Sequence, residues 1–114
     1  MARIINSKTQ KSSFAWGMIK ISTTIGLVKM SDGFGFNYEA NVSGIRKANV
    51  SGGPEKIPTG GGSFVINQNP KITTAITNYK ETGSHISMHL DISIDLPFGL
   101  GTKSIFNQTL EGNY

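Results

Sequence analysis

The sequence predicts an all-β protein, an antiparallel β-sandwich of jelly-roll or immunoglobulin-like type with about seven or eight short strands. Three observations predict it. Residues 86–96 alternate without a break, with Ile86, Met88, Leu90, Ile92, Ile94 and Leu96 on one side and Ser87, His89, Asp91, Ser93 and Asp95 on the other. Glycine and proline punctuate the chain at short intervals. Helical spacing of apolar residues competes with strand spacing only within 12–29, where Phe14, Met18 and Ile21 fit both.

At 114 residues the chain has the size of one domain and can bury a core without disulfide or metal support. The expected organisation is a basic arm over 1–13, carrying Arg3, Lys8 and Lys11, ahead of a single sandwich over 14–114. The arm is expected to be flexible until it docks.

The elements follow in order. Ile19, Ile21, Thr23, Ile25 and Leu27 share one face of a strand, and Phe34, Phe36, Tyr38, Ala40 and Val42 share one face of the next. Asp32-Gly33 between them is hairpin-turn chemistry, because both residues tolerate positive φ. Ala40-Asn41-Val42-Ser43-Gly44 recurs as Ala48-Asn49-Val50-Ser51-Gly52, a repeat too short for a solenoid. It reads as two arms of a small hairpin turning through 45–47, or as coincidence in an Asn/Ser/Gly-rich chain.

The stretch 51–62, with Pro54, Pro58 and five glycines, is expected to be the longest loop. A short strand over 63–67 ends at Asn69-Pro70, and 72–79, rich in Ile and Thr, makes the next. Gly83 turns the chain into the long strand 86–96, the run 97–101 ends it, and 102–110 supplies the last strand through Phe106 and Leu110.

Composition narrows the functional classes. Absence of cysteine removes thiolate nucleophiles, redox pairs and Cys-type zinc sites. Charged residues are 16% of the chain, against about 25% in typical domains, so hydroxyls and amides carry solubility. The net charge is +4 and unevenly spread. Arg3, Lys8, Lys11, Lys20 and Lys29 all precede the first acid, Asp32, whereas 81–114 holds four acids and one base. Such ends imply terminal strands that are neighbours in one sheet, or a head-to-tail contact between subunits.

No signal peptide or transmembrane segment is visible, which leaves the compartment unknown: cytoplasmic, or exported by a route without a signal. The bases form no dense stripe, so nucleic acid is not an expected partner.

Catalytic patterns are not readable. His85 and His89 lie four apart, a metal-ligating spacing on a helix but roughly 13 Å apart along a strand. His89 and Asp91 can be combined on paper with any of twelve serines, yet none sits in a nucleophile elbow. Gly60-Gly61-Gly62 lacks the Lys-Ser/Thr of a phosphate loop and precedes a strand. Gly33-Phe34-Gly35-Phe36 reads as core aromatics beside a turn. The lone Trp16 is either a core residue or an aromatic anchor at a subunit, sugar or membrane interface.

The run Ile57-Pro58-Thr59-Gly60-Gly61-Gly62-Ser63-Phe64, with the later Leu96-Pro97-Phe98-Gly99, loosely resembles strand-opening and strand-closing phrases of aegerolysins, small β-sandwich cytolysins. Residues 90–114 resemble the closing strands of late-embryogenesis-abundant β-sandwich proteins. The two resemblances together imply a sandwich and assign no family, and the Trp-rich, Cys-containing stretch of aegerolysins is not present.

The expected function is that of a non-enzymatic self-assembly or recognition module, a homo-oligomer or fibre subunit whose arm pairs with the edge strand of a neighbour. Membrane or lipid binding, in the manner of a cytolysin, and glycan binding through 51–62 are the alternatives. No catalytic, metal or cofactor residue is singled out, and no cofactor is expected. The candidates for assembly or binding are Arg3, Lys8, Lys11, Phe14, Trp16, Asp91 and Asp95.

Overall fold

A computed structural model of the chain describes residues 3–44, 47–96 and 99–114. Met1 and Ala2 of the expected arm, Ile45 and Arg46 of the expected small turn, and Pro97 and Phe98 of the expected strand-ending run lie outside them. The protein is all-β. Its strands are β1 (Arg3–Phe14), β2 (Ile19–Met30), β3 (Gly33–Gly44), β4 (Ala48–Lys56), β5 (Gly62–Ile66), β6 (Ile72–Thr82), β7 (His85–Leu96) and β8 (Gly101–Asn113). They form two four-stranded antiparallel sheets, the strand complement of a sandwich, ordered β1-β2-β3-β4 and β5-β6-β7-β8.

Every hydrogen-bonded neighbour is therefore also a sequence neighbour. Jelly-roll and immunoglobulin orders need a strand that returns to pair out of sequence. Here each sheet is a plain meander, and the chain divides into two compact units, Met1–Ile57 and Pro58–Tyr114, each holding one of them.

Three local expectations change. The basic segment 1–13 is not an arm outside the sheets: from Arg3 onward it is β1, paired with β2 from Arg3↔Lys29 to Phe14↔Ile19. Its alternation is hard to read because an edge strand with a weakly buried face tolerates Lys8, Gln10 and Ser12 opposite Ile25, Thr23 and Ile21 of β2. Residues 51–56 are not loop but the second half of β4, so the connection to β5 is only 57–61. The terminal strands β1 and β8 are not neighbours in one sheet but edges of different sheets. The competing helical spacing within 12–29 ends in the β1–β2 hairpin.

The first sheet buries one face through Ile19, Ile21, Thr23, Ile25 and Leu27 of β2, Phe34, Phe36, Tyr38, Ala40 and Val42 of β3, and Val50 of β4. These are the alternating positions of the sequence, because side chains on a strand point to opposite faces in turn. The second sheet does the same through Ile72, Thr74 and Ile76 of β6, the six apolar residues of β7, and Phe106 and Leu110 of β8. Thr23 and Thr74 occupy apolar positions, and the hydroxyl of each is buried with no hydrogen-bond partner among the described residues.

All four edges carry features that hinder pairing with another chain. β1, β4 and β8 each hold the extra residue of a register shift: opposite Val28–Leu27, opposite Phe36–Tyr38 and opposite Ile92–Ser93 respectively. Lys8 stands opposite buried Ile25 and Lys103 opposite buried Ile94, so each edge points a charge to the apolar side. β4 contains Pro54, which has no N–H to offer, and β5 is five residues long.

Candidate functional site

The β1–β2 hairpin turns through residues 15–18. Gly17 N–H donates to the Phe14 carbonyl at 3.2 Å and Met18 N–H to the Ala15 carbonyl at 3.1 Å. Ala15 and Trp16 both have φ of 53° and Gly17 has φ of 83°. Positive φ at both central residues is the signature of a type I′ turn, which normally takes Asn-Gly because other side chains strain there by about 1–2 kcal/mol per residue. This turn spends that strain on Ala15-Trp16 and holds Trp16 at the tip, 101% exposed, with Met18 49% exposed beside it. The core alternative for the lone tryptophan is overturned.

Next to the tip, the outward face of the first sheet is laid out in cross-strand rows. Lys11 lies opposite Ser22, Ser22 opposite Asn41 and Asn41 opposite Asn49. One row nearer the tip, Ser13 lies opposite Lys20 and Lys20 opposite Ser43. Together Lys11, Ser13, Lys20, Ser22, Asn41 and Ser43 line a cavity of about 400 Å³. Ser43 Oγ makes a long contact, 3.5 Å, to the Lys20 carbonyl, and Asn49 Nδ2 donates to Asn41 Oδ1.

β3 closes on this end through Gly44, opposite Ile19, at φ of 106°. A Cβ there would lie 2.0 Å from the Met18 carbonyl oxygen, so only glycine lets the two backbones meet.

Charge is polarised along the sheet. Met1–Ile57 carries eight bases against three acids, whereas Pro58–Tyr114 carries three bases against four acids. Within the first sheet the far end carries both signs: Lys56 pairs with Asp32 at 2.7 Å, holding that carboxyl below the usual range, and Lys29 sits 5.4 Å from the Phe34 ring centre. At the hairpin end the described residues include Lys11, Lys20 and Lys47 and no acid; Glu39 is one row further along the face. Lys11 and Lys20 have no salt-bridge partner among the described residues.

The sequence-derived candidates separate accordingly. Lys11, Phe14 and Trp16 come together at the hairpin end, with Phe14 half-buried at its base. Arg3 starts β1 at the opposite end of the sheet, and Lys8 lies on the other face of the strand from Lys11. Asp91 and Asp95 belong to the second sheet, where each accepts a hydroxyl from β8: Ser104 Oγ at 2.8 Å and Thr102 Oγ1 at 2.6 Å. Lys71 lies 3.8 Å from Asp95. Met18, Lys20, Asn41 and Ser43 were not among the candidates; the register that carries them to Lys11 is the signal that was missing.

His89 faces outward on β7 with both ring nitrogens engaged, Nδ1 with Thr109 Oγ1 at 3.1 Å and Nε2 with Asn107 Oδ1. Its paper partner Asp91 is bonded to Ser104 instead. His85 Nδ1 meets Asn113 Oδ1 at 2.8 Å. Among the described residues no group of three or more His, Asp or Glu could hold a metal ion, and no helix is long and apolar enough to cross a membrane.

The fold and this end define an all-β protein with a basic, tryptophan-tipped hairpin. Compared with known family models, curated proteins and solved structures, the chain matches none.

Proposed function

We propose that the chain is a non-enzymatic recognition module that docks on an anionic lipid surface through the hairpin end of its first sheet. The observation that carries this reading is the fully exposed Trp16, held at the tip by a strained turn, beside Lys11 and Lys20, which have no salt-bridge partner among the described residues. Tryptophan settles at the headgroup level of a bilayer, where its ring is apolar and its N–H still wet. Lysines near an anionic leaflet add about 1 kcal/mol each. Lys11, Lys20 and Lys47 therefore contribute attraction that is modest, reversible and sensitive to salt. Met18 favours a bilayer over a sugar, since a flexible thioether gains little from stacking on a pyranose and much from acyl chains.

Flotation of the full chain with phosphatidylserine-containing vesicles and with pure phosphatidylcholine vesicles tests the proposal. Co-flotation with the anionic vesicles, reduced by salt and lost in Trp16→Ala, is the expected result; no co-flotation at low salt overturns it.

A second reading, head-to-tail assembly of copies, is favoured by the opposite charge balance of the two units. The bulged and charge-guarded edges weigh against strand addition as its mode, which leaves contact between charged faces. Light scattering at low and high salt tests this reading: a mass above the monomer that falls with salt supports it, and a monomer at both salts removes it.

A further inference from the structure

We infer that the cavity beside the hairpin tip is a subsite for a phosphomonoester carried on a lipid headgroup, an inference that rests on the membrane reading and gives that surface a chemical preference. The argument begins with what lines the cavity. Lys11 and Lys20 stand on adjacent strands, two positions out of register, so their backbones are roughly 7–8 Å apart and both ammonium groups can reach one ligand. Ser13 and Ser22 place hydroxyls between them, and Ser43 and Asn41 add further polar groups. Asn41 already uses its Oδ1 to accept from Asn49, which leaves its own N–H₂ as the group to offer a ligand.

The lining thus includes two cations and a set of hydrogen-bond donors, beside Ser12 and the apolar Ile21, and no carboxylate. A ligand that fits must be acceptor-rich and carry close to two negative charges. A phosphomonoester carries about −1.5 to −2 near neutral pH and presents three acceptor oxygens. A phosphodiester, with a single charge and two free oxygens, satisfies one lysine and leaves the other unpaired. The cavity opens on the face that ends at Trp16, so the group that enters it is carried on the same surface that receives the tip.

The test uses the uniformly ¹⁵N-labelled full chain, titrated with glycerophosphoinositol 4-phosphate and with glycerophosphoinositol, which has the diester alone. The expected result is saturable shifts of the Lys11, Ser13, Lys20, Ser22, Asn41 and Ser43 amides with the first probe and about tenfold weaker binding of the second. Lys11→Gln/Lys20→Gln should weaken the first probe by about tenfold, while Lys56→Gln/Lys80→Gln, with the same loss of charge elsewhere, should not. If the double variant loses its dispersed spectrum, Lys11→Gln and Lys20→Gln singly each report a partial loss. Equal response to both probes, or shifts spread over Lys29, Lys56 and Lys71, overturns the inference.

A vesicle arm separates it from the reading beneath it. Phosphatidylcholine vesicles containing phosphatidylinositol 4-phosphate are compared with phosphatidylserine vesicles of equal total charge. Vesicle binding with no preference for the monoester overturns the subsite and spares the membrane reading. A saturable response to the soluble headgroup with no vesicle binding overturns the lipid source. Trp16→Ala should lose the vesicles and keep the soluble probe.

Discussion

Asn41 and Asn49 stand directly opposite one another in the β3–β4 pair and are joined by a side-chain hydrogen bond, Asn49 Nδ2 donating to Asn41 Oδ1. Each is the second residue of the repeated Ala-Asn-Val-Ser-Gly phrase, so the repeat is the two arms of one hairpin meeting in antiparallel register. The bond also orients the Asn41 amide at the cavity. Asn49→Ala should cost little stability, about 0.5–1 kcal/mol at this exposed site, and weaken binding of the phosphomonoester probe by freeing the Asn41 side chain. Thermal unfolding and the ¹⁵N titration read the two effects separately.

Trp16 should be separable from the fold. It is fully exposed at φ of 53°, so Trp16→Gly removes backbone strain and no buried surface. Stability is expected to rise by about 1 kcal/mol. Vesicle co-flotation is expected to vanish in the same variant. A large loss of stability on denaturant unfolding would mean that the ring is packed.

Thr23 and Thr74 each bury a hydroxyl with no hydrogen-bond partner among the described residues, one in each sheet. Desolvating such a group costs about 1–3 kcal/mol, and valine has nearly the same shape. Thr23→Val and Thr74→Val should therefore each raise the denaturant midpoint with an unchanged slope.

Gly44→Ala should be severe. The new methyl would meet the Met18 carbonyl at 2.0 Å, and alanine is strained at φ of 106°. A loss of about 2–4 kcal/mol is expected in denaturant unfolding, with disturbed amide signals at Ile19 and Met18.

Stability should bend at both ends of the pH scale for identifiable reasons. Asp32 has its pKa lowered by a hydrogen bond from Lys56 and by that lysine's charge. Its contribution is therefore present above pH 3.8 and lost as pH falls through the lowered value. Tyr79 is raised by burial and then by the nearby Glu81, and Tyr114 by its hydrogen bond to the same carboxylate, then by burial. A raised tyrosine contributes in full below pH 10.0, and that contribution is lost as pH rises through the folded value. Glu81→Gln should bring both phenol titrations down, read by the ultraviolet absorbance of tyrosinate. Lys56→Gln should remove the acid-side term, read by urea unfolding across acidic pH.

The all-β class and the buried face of four elements, β2, β3, β7 and β8, were legible in the alternation of single strands, most fully in residues 86–96, because burial on one side of a strand imposes a period of two on any sequence that occupies it. The turn between β2 and β3 was legible for a different reason: Gly33, which follows it, has φ of 144°, a conformation that favours glycine. β1 was not, since an edge strand has weaker burial to impose a pattern, and its lysines read as an arm. The second half of β4 was not, because glycine and proline mark a bulged edge as readily as a loop.

What the sequence by itself determined is which residues face inward on the clearly alternating strands β2, β3, β7 and β8, a property of neighbours two apart. Beyond the hairpins marked by their turns, only the tertiary structure decided which strands pair and in what register. That choice separates β1 from β8, exposes Trp16 on a strained turn, and sets Lys11 beside Lys20, Asn41 and Ser43. Such groupings join residues up to about thirty positions apart through cross-strand neighbours, and no local pattern carries information across that distance.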